Sequence, residues 1–161
     1  MLRRLLLMVG LLIAGLLFTG APAFGGAPPV TETTTQKNLV ETFVDVIPDP
    51  ICSDEGPLYT ITTTTNLVMH STIFADGREH DTFTQTGTFV AVPQDPSLPT
   101  YTGHFTMWGG FNGNAQSASG TFTFSLHGTA NDGSTITLNS VEHFNVTPGG
   151  VENSFSFENC H

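Results

Sequence analysis

The chain has 161 residues, with 4 Lys and Arg against 14 Asp and Glu and a formal net charge of −10 at neutral pH. That length suits one domain built on one hydrophobic core. So acidic a surface repels phosphate backbones and anionic headgroups, which tells against nucleic acid and, once the N-terminal segment is removed, against membranes as partners.

Residues 1–23 read as a secretory signal peptide: Arg3 and Arg4, an apolar run from Leu5 to Phe18, then the small-x-small site Ala21-Pro22-Ala23. The apolar run is shorter than the roughly 20 residues that a membrane span requires. Cleavage after Ala23 gives a secreted, extracytoplasmic protein in which Lys37 and Arg78 are the only formal cations. In that compartment the two cysteines, Cys52 and Cys160, are expected to form a disulfide. It closes a loop of just over 100 residues, a constraint of roughly 4 to 5 kcal/mol in the chain-entropy description. No C-x-x-C spacing favours a metal or a reactive thiol instead.

Residues 24–38 are mostly Gly, Pro, Thr and Gln without an apolar period, and are expected to form a flexible leader. The single folded domain then spans 39–161. It is rich in Thr, Val, Ile and Phe, punctuated by Pro, Gly and Asp, and carries no 3.6-residue period, so the fold class is all-β. Seven strands are expected: Leu39 to Ile47, Leu58 to Phe74, Glu79 to Val92, Thr100 to Trp108, Ser119 to Ala130, Thr135 to Thr147 and Val151 to Asn159. Short connections imply sequential antiparallel pairing. One apolar face on each strand suits an up-and-down barrel of seven or eight strands, because closure removes exposed edges; a two-sheet β-sandwich is the alternative.

Hairpin chemistry sets the register. A three-residue loop at Asn131-Asp132-Gly133, with Gly133 left-handed, places Leu126 opposite Leu138 and Phe122 opposite Glu142; the same chemistry at Ala75-Asp76-Gly77 places Phe83 opposite Met69. Pairing through Thr147 to Gly150 puts Phe155 opposite Glu142 from the other side. A carboxylate between two phenylalanines has its pKa raised by desolvation, as general acids and bases do, so Glu142 is the candidate catalytic residue. The plainer reading is a structural acid held by Ser140, Gln85 or Asn153. The interior available to a ligand is lined by Phe83, Phe89, Tyr101, Phe105, Phe122, Phe124, Phe144, Phe155 and Phe157.

His70, His80, His104, His127 and His143 all fall on polar faces. His127 and His143 lie six residue steps apart, roughly 20 Å, while His70 and His80 are diagonal neighbours; two ligands fall short of the three or four that zinc takes, so no metal is expected. No phosphate loop, nucleophile elbow or H-E-x-x-H occurs, so no cofactor is expected either.

Three stretches, T-F-V-D-V-I-P at Thr42 to Pro48, P-T-Y-T-G-H-F-T-M-W at Pro99 to Trp108 and T-F-T-F-S-L-H-G-T-A-N-D-G-S-T at Thr121 to Thr135, together with Cys160, carry a resemblance. Over about Thr42 to Cys160 the chain resembles a family of small secreted bacterial all-β proteins of uncharacterised function. Members often carry H-E-V-x-H where this chain has Asn139-Ser140-Val141-Glu142-His143. That difference loses a His and moves the acid, so the resemblance implies a fold and an address, and no activity.

The leading expectation is a non-enzymatic binding module whose barrel accepts a small apolar ligand. The others are a cyclase or isomerase-type enzyme using the buried Glu142, with Tyr101 as partner, and a structural or surface-interaction role for an acidic, Thr-rich exterior.

Overall fold

The computed structural model describes residues 28–47, 56–150 and 152–160. The strands are β1 (Val30–Val46), β2 (Leu58–Ile73), β3 (Glu79–Pro93), β4 (Tyr101–Gly113), β5 (Ala118–Ala130), β6 (Thr135–Val146) and β7 (Glu152–Cys160). They form one antiparallel sheet in the order β1-β2-β3-β4-β5-β6-β7, each strand hydrogen-bonded to its chain neighbours. The all-β meander is therefore as the alternation predicts. The closure is not: among the described residues β1 and β7 do not pair, so the sheet is open and has no second layer.

β1 starts at Val30, inside the stretch expected to be a leader. Thr31, Thr33 and Thr35 pair with Thr72, His70 and Val68, and their β-branched side chains suit a strand even without an apolar period. The register slips between Gln36 and Leu39, where Asn38 takes a positive φ of 55°. That slip is a β-bulge, which returns Leu39 to the face of Gln36.

Pairing assigns one face of the sheet, here called inner, to Tyr59, Phe83, Phe89, Ala91, Phe105, Met107, Phe124 and Leu138, all buried. Met107 keeps only 2 % of its surface exposed. A flat single sheet cannot bury a side chain so fully. The sheet must curl until inner-face side chains meet one another. Glycines make the curl fit: a Cβ at Gly87 would stand 2.8 Å from the Phe105 ring, and one at Gly109 would stand 2.8 Å from Phe122 and 3.1 Å from Phe83. The rings thus lie flat over bare backbone on neighbouring strands, a packing that lets a sheet bend sharply.

Two hairpins follow the expected turn chemistry. Gly77 and Gly133 have φ of 80° and 88°, and Leu126 pairs with Leu138 while Phe83 pairs with Met69. The last hairpin differs by one residue. Val146 pairs with Glu152, so Glu142 faces Ser156 and Phe155 faces His143. Because strand side chains alternate, that slip turns all of β7 over. Phe155 and Phe157, expected inside, are 62 % and 55 % exposed on the outer face.

Candidate functional site

Phe89, Phe105 and Phe124 are buried, whereas Phe111, Phe122 and Phe144, nearer the β2–β3 turn, are half-buried. These three form a continuous ledge: Phe122 and Phe144 stack with centroids 5.8 Å apart at 20°, Phe111 lies 6.1 Å from Phe144, and buried Phe83 lies 5.7 Å from Phe122.

Beside the ledge sits an acid cluster. Glu79 and Asp81 lie on the inner face of β3, in phase with Phe83, and pairing sets Asp81 between Ser71 of β2 and Phe111 of β4. Asp81 is 2 % exposed, and its Oδ2 has no hydrogen-bond partner. Its Oδ1 makes a very short contact with Ser71 Oγ, which also lies 3.3 Å from Glu79 Oε1. One hydroxyl proton serves only one of the two acceptors at a time. Burial pushes the Asp81 carboxyl above its ordinary range, against the Ser71 hydrogen bond that lowers it. Burial also pushes Glu79 up, and the neighbouring Asp81 charge adds to it. Two carboxyls this close on an apolar face hold protons more firmly than either does in water.

At the rim above Glu79 lies a pocket of about 380 Å³, lined by Phe74, Arg78, Glu79, His80, Asn112 and Asn145 among others. Arg78 is fixed there by Asp76, with Nε 2.7 Å from Oδ2, and its guanidinium lies 4.9 Å from the Phe74 ring centre. The pocket therefore offers mostly hydrogen-bonding groups, several of them, His80, Asn112 and Asn145, from the outer face.

Glu142 is on the inner face, half-buried, between Phe122 and Ser156. It flanks the ledge from β6 as Asp81 flanks it from β3. Tyr101 opens β4, at the end away from Gly109, which pairs with Phe122 opposite Glu142; it is half-buried and packs edge-on to Tyr59 at 6.0 Å, so it and Glu142 are not brought together as acid and partner. Cys160 ends β7 against the core cluster, and Cys52 lies outside the described residues. The histidines sit on the outer face, where His70, His127 and His143 hydrogen-bond to Thr33, Thr137 and Thr121, and His80 to Asn112. Among the described residues no three His, Cys, Asp or Glu converge as metal ligands would.

The Glu79–Asp81–Ser71 cluster is the feature that sequence reasoning passed over. Its signal was present in E-x-D-x-F, where Glu79 and Asp81 share the parity of Phe83. No protein-family model, no curated protein and no solved structure matches this chain.

Proposed function

We propose that the chain is an extracytoplasmic, non-enzymatic binding module that takes a small ligand at the Glu79 end of its inner face, with its strands rolled toward a barrel around the site. The observation that carries this reading is the contrast between half-buried Phe111, Phe122 and Phe144 and their buried counterparts Phe89, Phe105 and Phe124. An aromatic surface that the fold leaves uncovered is where an apolar ligand body gains most from leaving water. Glu79, on the inner face and at the edge of the rim pocket, suits a polar head on that body. Support for the address comes from the charge, apolar run and small-x-small site of residues 1–23.

The test uses the uncharged fluorescent probe N-phenyl-1-naphthylamine with the mature protein. Saturable, blue-shifted fluorescence that weakens at least about fivefold in Phe122→Ala, roughly 1 kcal/mol, is the expected result. A signal that never saturates, or that Phe122→Ala leaves alone, refutes it. Native mass spectrometry of protein from its own culture then identifies a carried ligand.

The enzyme reading is favoured by one observation, the raised carboxyl pKa values at Asp81 and Glu79. It moves the general acid from Glu142 to this pair. Glu142→Gln and Asp81→Asn separate the two: turnover of a ligand found by mass spectrometry that only Asp81→Asn abolishes assigns the acid to β3.

A further inference from the structure

The outer face shows a separation of chemistry that the inner-face site does not use. Following the pairing across β2 to β7, no outer-face residue is Asp, Glu, Lys or Arg. The acids on these strands, Glu79, Asp81, Glu142, Glu152 and Glu158, are all on the inner face. The Thr-rich exterior expected to be acidic is therefore uncharged, a surface of hydroxyl, amide and imidazole groups.

A row of uncharged side chains, three of them exposed and apolar, crosses this face. Val68, Thr84, Trp108, Thr123, Val141 and Phe157 are linked by successive pairings from β2 to β7. Val68, Trp108 and Phe157 are 37 %, 46 % and 55 % exposed. At about 4.8 Å between strands, the row is about 24 Å long and separates Trp108 from Phe157 by about 14 Å. Gly110 follows Trp108 on the same face of β4, so one flank of the indole carries no side chain. Thr84 and Thr123 stand on either side of it across the strands, with hydroxyls that donate and accept.

We infer that this face docks an uncharged polysaccharide lying across the strands. Sugar rings present C–H groups to an aromatic face and hydroxyls at their edges, which matches aromatics set among threonines. A charged polymer finds no counter-charge here. The length of the row and the wide spacing of its aromatics suit an extended chain better than one compact molecule. Exposed aromatic area on a soluble surface is itself a mark of an interaction site.

The test is electrophoresis of the mature protein through native gels containing dissolved hydroxyethyl cellulose, glucomannan or glycogen. At least one polymer should retard the wild type. Trp108→Ala should weaken that binding at least about fivefold, and Phe157→Ala at least about twofold. Trp108→Tyr should restore part of it, and Ser97→Ala, in a loop away from the row, should leave it intact. Far-UV circular dichroism checks that each variant is folded. Absence of retardation by all three polymers, or retardation that Trp108→Ala does not change, overturns the inference. So does a sedimenting dimer that Trp108→Ala dissociates, which would assign the face to a second copy of the chain. Phe122→Ala fails only the inner-face reading, so the two outcomes stay distinct.

Discussion

Replacing Gly103 by Ala should unfold this protein more readily than any other single glycine-to-alanine change in a turn or strand compared below. Gly103 sits near the start of β4, opposite Phe89 of β3 and Gly128 of β5. An added Cβ would fall nearest the His127 carbonyl oxygen, closer than real Cβ contacts allow, and 2.7 Å from both the Gly128 Cα and the Phe89 ring. Two of those three neighbours are backbone, which no rotamer change can move. The β4–β5 ladder must separate or Phe89, 4 % exposed, must leave its seat. Overpacking of this kind costs about 1–3 kcal/mol, and displaced backbone puts it at the upper end, about 3 kcal/mol. At Gly128 the nearest atoms are the Phe89 ring at 2.7 Å and Ile136 Cγ1 at 3.0 Å, both side chains that can shift, so about 1–2 kcal/mol is expected. At Gly77 nothing lies within 4 Å, and only the strain of φ +80° remains, about 1 kcal/mol. Urea unfolding followed by circular dichroism measures all three; with a slope of about 2 kcal/mol/M, the Gly103→Ala midpoint should fall by about 1.5 M. A Gly103→Ala loss no larger than that of Gly77→Ala would refute the account of rings seated on bare backbone.

The remaining predictions concern the acid cluster, the register and the cysteines. A carboxyl whose folded pKa lies above its unfolded value favours the fold below the unfolded pKa and turns against it as pH rises through the folded one. Asp81 and Glu79 are raised from 3.8 and 4.5, so from about pH 4 upward Asp81→Asn should gain stability relative to wild type; a difference constant between pH 3 and pH 8 sinks that reading. Phe124→Ala should cost about 3–5 kcal/mol, whereas Phe157→Ala should stay within about 0.5 kcal/mol, and equal losses by urea titration would contradict the β6–β7 register. Cys160→Ser should remove roughly 4 to 5 kcal/mol if Cys160 closes a loop with Cys52, and thiol titration of unfolded, unreduced wild type should find no free thiol; two free thiols would exclude the bridge.

Much of the fold was legible because its signals are local. Alternation marks each strand, and Gly77 and Gly133 each dictate a turn whose geometry fixes the residues opposite. The Gly133 turn alone therefore pairs Phe122 with Glu142. The β6–β7 connection carries Pro148, Gly149 and Gly150, a loop compatible with more than one length, and a one-residue difference there moved Phe155 and Phe157 from inside to outside. The start of β1 was hidden for another reason. Its threonines are held by hydrogen bonds such as Thr31 Oγ1 to Thr72 Oγ1 at 3.1 Å and Thr33 Oγ1 to His70 Nδ1 at 2.8 Å, and such partners, 41 and 37 residues away, leave no apolar period in the sequence.

Closure failed as an expectation because it was argued from apolar faces alone, and the two edge strands do not have them. Pairing puts Glu32, Glu41 and Asp45 of β1 opposite Ser71, Thr63 and Tyr59 on the inner face. It puts Glu152 and Glu158 of β7 opposite Val146 and Ser140 on that same face. A barrel formed by joining β1 to β7 would bring these acids together beside the core, with like charges repelling in a medium that screens them poorly. Inward-pointing charges on free edges are also how sheets resist pairing with other chains. The same placement explains why the outer face is free of charge: the acids lie on the inner face, the edges and the turns, which leaves the broad outer surface to threonine, histidine and the exposed rings of Trp108, Phe155 and Phe157.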